Sequence, residues 1–283
     1  MIEKVNPSHP DKIADRIAGA IVDLAYKKQD NPKIAVEVLI GHGECKLIIE
    51  SSVGFEFEEL HEIVDRIAGK GIELSANIVP QDEHLAANQA EKIKCGDNGI
   101  FKGVPSNLEE SCLSVIVRKL YRKFPTDGKF ISDEEDSLFI ACQSNANSTE
   151  LGMEINELLH RPGEVIVNPL GEWTGGTNVD TGATNRKLGS DMGRAVTGGG
   201  LHGKDLSKAD VSVNIACHIL AEQERCEVEA CCAIGDSTVA FKIRRNEQRT
   251  DYTVMDYAKV VEMARDYINK LGGFEKLAEW GLI

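Results

Sequence analysis

The chain has 283 residues, 42% hydrophobic and 28% charged, enough for two or three domains with real cores and ordinary for a globular protein. A net charge of −14 argues against a nucleic-acid surface, so any anion site must be a local basic cluster on an acidic body. No apolar run reaches membrane-span length, "MIEKVNPSHPDK" has no apolar leader region, and the eight cysteines show no CxxC spacing, so a reduced cytoplasmic protein without membrane contact, zinc ribbon or disulfide scaffold is expected.

The first element is "DKIADRIAGAIVDLAYKK" (11–28), with Ile13, Ile17, Ala20, Ile21 and Leu24 at helical spacing. At its head, "SHPDKIAD" (8–15) gathers His9, Asp11, Lys12 and Asp15 within two turns. Local signals read this as a helix start, with Ser8 as N-cap, Pro10 in the first turn and Asp11 beside the helix dipole. After the turn "QDNPK", the stretches "KIAVEVLIGHG" (33–43) and "CKLIIESSV" (45–53) predict a β-hairpin around Gly41-His42-Gly43. "FEELHEIVDRIAGKG" (57–71) predicts an amphipathic helix closing on glycine, and "ELSANIVPQ" (73–81) a strand. A similar order recurs with a helix at 108–124 and a strand at 137–144. A third round has a helix at 211–224, strands at 226–235 and 237–245, and a helix at 254–273. Three rounds predict an α+β protein of related units over 1–78, 93–171 and 172–283.

Ten of the 26 glycines lie between 171 and 203, a density that only loops accommodate. Interspersed with or just beyond them are Arg186, Lys187, Lys204 and Lys208, with Asp180 and Asp210 alongside. Backbone N–H groups and basic side chains together make an anion cradle suited to polyphosphate. A flexible linker would lack such an ordered basic set. "GGGLHGKD" is not a P-loop, because Asp205 follows Lys204. "CGDNGIFKG" (95–103) frames Asp97 with glycines and alone reads as a turn. The histidines at 42, 61, 84, 160, 202 and 218 show no metal-ligand spacing and read as surface or core residues.

In chain order, "HPDKIAD", Glu37 in "AVEV", Glu50 in "LIIES", "GDNG" (96–99), "VDTGATNRK" (179–187), "GGGLHGKDLSKAD" (198–210) and "CAIG" (232–235) resemble the signature stretches of the methionine adenosyltransferases. The resemblance implies three related α/β units in a pseudo-threefold arrangement, with mixed or antiparallel sheets covered by helices. It implies attack of methionine sulfur on C5′ of ATP, release of triphosphate, and its hydrolysis. A thioether is already nucleophilic, so the burden falls on the leaving group, which needs Mg²⁺ and fixed cations. By the same resemblance, Asp11 and Asp210 hold Mg²⁺, Glu37 holds K⁺, and Lys12, Arg186, Lys187, Lys204 and Lys208 clamp phosphates. His9 stabilises the reacting centre, Glu50 and Asp180 bind the methionine ammonium group, and Asp97 serves the nucleotide. Trp173 stands where an aromatic packs on adenine, Ile234 belongs to the substrate-side "CAIG" strand, and Gln89 or Gln81 contacts methionine.

The chain departs from the family in three ways. It is about a hundred residues shorter than expected. The loop before Asp97 is abbreviated. The family's RPD tripeptide is followed by a catalytic lysine, whereas "ISDEEDSLF" (131–139) keeps only Asp133 and has no lysine, leaving Lys129, Lys102 or Lys94 as substitutes by sequence proximity. The resemblance also implies a homodimer with shared active sites and leaves further pairing into tetramers open. Two alternatives stand beside it: a relative that uses ATP or triphosphate with another thioether, and a catalytically silent nucleotide-binding paralogue.

Overall fold

The computed structural model describes residues 1–89, 92–159, 163–197, 199–246 and 249–283. The chain opens with β1 (Ile2–Val5), α1 (Pro10–Lys28), β2 (Ile34–Gly41), β3 (Glu44–Ser51), α2 (Phe57–Ala68), β4 (Glu73–Val79) and the short α3 (Glu83–Asn88). It continues through β5 (Gly99–Gly103), α4 (Leu108–Lys123), β6 (Gly128–Asp133), β7 (Leu138–Gln143), α5 (Ser148–Leu158) and β8 (Glu164–Val167). The last third holds β9 (Gly182–Ala183), α6 (Leu188–Met192), α7 (Ala209–Glu224), β10 (Glu227–Cys232), β11 (Thr238–Arg244), β12 (Thr250–Asp256), α8 (Tyr257–Leu271) and α9 (Phe274–Trp280).

Twelve strands form three four-stranded sheets among the described residues, in the orders β4-β3-β2-β9, β1-β6-β7-β8 and β12-β11-β10-β5. The α+β class with helix-covered sheets is as expected. The β2–β3 hairpin turns on His42 (φ 53°) and Gly43 (φ 83°), the two positive-φ positions that a tight two-residue hairpin demands. In two sheets a hairpin is followed by a helix and a parallel strand: β3–β4 across α2, and β7–β8 across α5. The third differs, because β10, β11 and β12 form an antiparallel meander.

Each sheet takes one strand from outside its own stretch of sequence. β1 pairs with β6, β5 with β10, and β9 with β2. The sheets therefore cross the boundaries expected at 78, 93 and 172.

The main core joins α1, α7 and α8 to the sheets of β2 and β10 through residues such as Ile17, Ile21, Val36, Ile40, Val213 and Phe241. A second core under α4 and α5 contains Leu113, Val117, Phe130 and Phe139. On β2, Ile34, Val36, Val38 and Ile40 point into the core, so Glu37 and Leu39 face outward. The outer faces keep large apolar side chains exposed, among them Leu39, Ile48, Ile78, Ile100, Tyr252 and Val254.

The structure differs from expectation at several ends. His9, not Ser8, caps α1. Residues 254–256 lie in β12 instead of the last long helix, because seven residues of β12 pair in register with β11. Among the described residues no helix is long and apolar enough to cross a membrane. His160 falls outside the described residues.

Candidate active site

The start of α1 is built by a local cap. His9 is extended, and its Nδ1 accepts a hydrogen bond from the Asp11 amide at 3.2 Å. With Nδ1 accepting, the ring proton of the neutral form sits on Nε2. Burial and then the nearby Lys187 charge push the His9 pKa down to about 4, against the pull of Asp11, so the ring is neutral at pH 7. The strand β9 crosses directly over this turn. A Cβ at Gly182 would collide with the Pro10 carbonyl, so glycine is what permits the approach. The contact brings the Ala183 amide to Asp11 Oδ1 at 2.9 Å, Lys187 Nζ to Asp11 Oδ2 at 2.6 Å, and Arg186 Nε within 3.6 Å.

A second carboxyl joins this group. Asp127, just before β6, accepts a bond from the Gly176 amide at 3.0 Å. Burial pushes its pKa up to about 6, and Asp180 and Asp11 push the same way. Asp180 and Lys129 both act electrostatically on His9. Lys129 is half-exposed and pairs with Glu3 at 3.2 Å. Asp127 was not singled out from the sequence, and Lys129 only as a substitute. The string "PTDGK" (125–129) carries a Pro, an Asp and a following Lys, and was the signal available for both.

A separate cleft of about 240 Å³ opens on the outer face of β2 and β3. It is lined by Ala35, Glu37, Ile48, Glu50, Asp97, Lys204 and Lys208. Lys204 is held there by a bridge between its backbone and Ala35, and by the bond from the Val36 amide to the Gly203 carbonyl at 2.6 Å. Lys204 Nζ lies 2.6 Å from Asp210 Oδ2, which also accepts from the Gly200 amide at 3.2 Å. Burial works against the Lys204 charge, but Asp210 outweighs it and holds the pKa above the ordinary lysine value. Asp210 Oδ1 is buried with no hydrogen-bond partner, an orphaned hard oxygen that suits a cation. Glu37 accepts from the Thr184 hydroxyl. The Ile234 amide donates to Asn98 Oδ1 at 2.8 Å, which sets the "CAIG" turn beside Asp97. Trp173 is 37% exposed and packs against Gly175, one residue before Gly176.

Three expected site residues lie elsewhere. Lys12 is fully buried, with Nζ 2.5 Å from Asp191 and 3.7 Å from Asp15, so its ammonium faces an internal acid pair instead of a phosphate cradle. Asp133 sits at the far end of β6 from Asp127 and accepts the Glu135 amide at 3.1 Å, a hairpin-turn role. Gln89 is buried, donating to Ser207 Oγ at 2.8 Å and accepting from Lys33, whereas Gln81 Oε1 is buried without a partner. Lys102 pairs with Glu227 at 2.7 Å. His202 is a core residue, yet it forms a tight cluster with Asp15 and Asp191, all within 4.8 Å.

Residues 1–77 match the family model for the S-adenosylmethionine synthetase N-terminal domain. The chain is 26% identical over 297 residues to the S-adenosylmethionine synthase of Mycoplasma mycoides, covering 83% of this chain and 77% of that one. It is 24% identical over 339 residues to the S-adenosylmethionine synthase of Desulforudis audaxviator, covering 90% and 85%. Its fold is similar to that of an unusual S-adenosylmethionine synthetase from Campylobacter jejuni, with a TM-score of 0.78 at 18% identity over 100% of this chain and 93% of the other.

Proposed function

We propose that the chain is a divergent relative of the methionine adenosyltransferases and that it converts ATP, L-methionine and water to S-adenosylmethionine, pyrophosphate and phosphate, a reading supported by the matches of sequence and fold. The observation that carries this reading is a pair of complementary half-sites. One is the neutral His9 with Asp11, Arg186, Lys187, Asp127 and Lys129. The other is the cleft with Glu37, Glu50, Asp97, Lys204 and Lys208.

Sulfur attacks C5′, the C5′–O bond breaks, and triphosphate leaves with its charge concentrated on oxygen. His9 offers an uncharged Nε2–H donor toward the ribose side of the reacting carbon. Arg186, Lys187, Lys204 and Lys208 neutralise the departing phosphates, and Lys129 is the cation that stands in for the lysine missing from 131–139. Glu50 and Asp180 suit the methionine ammonium group. Asp210, with its orphaned oxygen, and Asp11 are the donors that would hold Mg²⁺, which supplies charge neutralisation on the phosphates when bound. Glu37 is the candidate K⁺ ligand. The exposed apolar sheet faces support a homodimer in which the His9 group of one chain meets the cleft of the other.

The test is direct. Purified protein with ATP, L-methionine, Mg²⁺ and K⁺ is expected to give S-adenosylmethionine with pyrophosphate and phosphate by mass spectrometry. Intact triphosphate would remove the hydrolytic step. A second reading, a relative acting on another thioether, is favoured by the withdrawal of Gln89 into hydrogen bonds with Ser207 and Lys33. Tight ATP binding with no product from methionine, but product from a different thioether, would establish it instead.

A further inference from the structure

Four titratable side chains from three segments meet in the interior behind the loops that carry Arg186, Lys187 and Lys204. Lys12 Nζ lies 2.5 Å from Asp191 Oδ1 and 3.7 Å from Asp15 Oδ2. His202 Nε2 lies 2.9 Å from Asp191 Oδ2. All four are nearly inaccessible to solvent. Asp15, Asp191 and His202 have the donor types and the spacing of a metal site, but the Lys12 ammonium already stands beside both carboxylates. Two buried carboxylates without a countercharge would be strongly unfavourable, and an ammonium on α1 supplies one without an ion from solution.

What surrounds the quartet gives it a role. Asp15 Oδ1 accepts the Asn185 amide at 2.8 Å. The Asn185 side chain accepts the His202 amide at 3.0 Å and reaches back to its carbonyl. Asn185 is left-handed at φ 63° and immediately precedes Arg186 and Lys187. Asp191 lies on α6, whose N-cap is Lys187, and the Asp191 amide bonds the Lys187 carbonyl at 3.0 Å. His202 stands two residues before Lys204. The two loops that carry the basic residues are thus tied to one point on α1, and neither loop has a regular element long enough to hold it alone.

We propose that Lys12 is a positioning residue, a tethered internal cation that takes the place of a structural metal and, through Asp191 and His202, locks the Asn185–Lys187 and Leu201–Lys204 loops in one register. The idea deepens the reading of these loops as a phosphate clamp and rests on it for its functional consequence, but the locking itself does not depend on the reaction.

The experiment compares amide hydrogen exchange in the free full-length protein and its Lys12→Met, His202→Leu and Asp191→Asn variants. Lys12→Met is expected to speed exchange about tenfold or more in 184–187 and 200–205 while α8 amides keep their protection. His202→Leu, which leaves the ion pair intact, is expected to loosen the 200–205 loop first and covers the case in which Lys12→Met does not fold. In a double-mutant cycle on kcat/KM for ATP, Lys12→Met with Asp191→Asn should be no worse than the more damaging single variant. Unchanged exchange in both loops, or losses that multiply in the cycle, would overturn the proposal and return Lys12 to direct phosphate contact. A wild-type protein that makes no S-adenosylmethionine would sink the functional reading, and the exchange data would still decide the locking.

Discussion

Burial holds the Asp127 carboxyl at a pKa of about 6, against 3.8 for the same group in an unfolded chain. Between those values the folded state binds more protons than the unfolded one, so this group makes stability fall as pH rises through the window and level off above it. The whole effect is roughly 3 kcal/mol. Asp127→Asn keeps an acceptor for the Gly176 amide and removes the charge, so urea unfolding should show the variant gaining on wild type between pH 4 and pH 7. A variant that loses stability at pH 7 would mean that Asp127 is ionised and paired in the free protein. Lys129→Met is expected to lower kcat by about a hundredfold or more while unfolding midpoints barely move, since its pair with Glu3 is a surface one. Unaltered turnover would exclude Lys129 as the clamp cation. These two residues also show what the sequence hid. Lys129 pairs across the sheet with Val5, four residues before His9, and so reaches the site by tertiary pairing that no spacing rule contains. The order of motifs drew attention to 131–139, which runs from the far end of β6 through the turn into β7. By contrast, Lys204 and Lys208 stand out in the glycine-rich basic stretch, whereas Glu37, Glu50 and Asp97 are singled out only by the family resemblance, and all five line one cleft.

At the scale of elements, α1 was readable because its apolar period is unbroken and its first turn holds Pro10, and the β2–β3 hairpin because Gly41-His42-Gly43 interrupts two alternating runs. The two-residue β9 was not, since nothing in its own sequence makes it a strand; it exists because Gly182 docks against Pro10 and pairs with Ile40. Gly182→Ala therefore tests how far the site depends on that docking. The added methyl has no space, so a loss of about 1–3 kcal/mol or more in unfolding free energy is expected. ATP affinity should fall as well, because the Ala183 amide and Lys187 would move off Asp11. A variant with normal nucleotide binding would mean that Asp11 is fixed by α1 alone. The start of α8 was misjudged because "VMD" (254–256) fits a helix and a strand equally over three residues, and only the partner strand β11 decides.

At the scale of the molecule, the exposed apolar residues on the sheet faces predict self-association. Sedimentation at micromolar concentration should give at least twice the 30.9 kDa chain mass. Leu39→Asp, on the outer face of β2, should shift the protein to monomers and abolish turnover while leaving circular dichroism unchanged. Full turnover in a monomer would refute shared sites. The borrowed strands bear on a different matter, the order in which a ribosome delivers the chain. β1 emerges first, yet its neighbour begins only at Gly128; β5 waits for Glu227–Cys232, and the sheet built on β2 is not closed until Gly182 and Ala183 appear. No N-terminal portion that stops short of β8, which ends at Val167, can complete a sheet, so unpaired strand edges persist on the nascent chain past the midpoint of translation. Fast elongation and early shielding by a holding chaperone should then raise soluble yield, and a stall between residues 60 and 120 should be the most damaging place to pause.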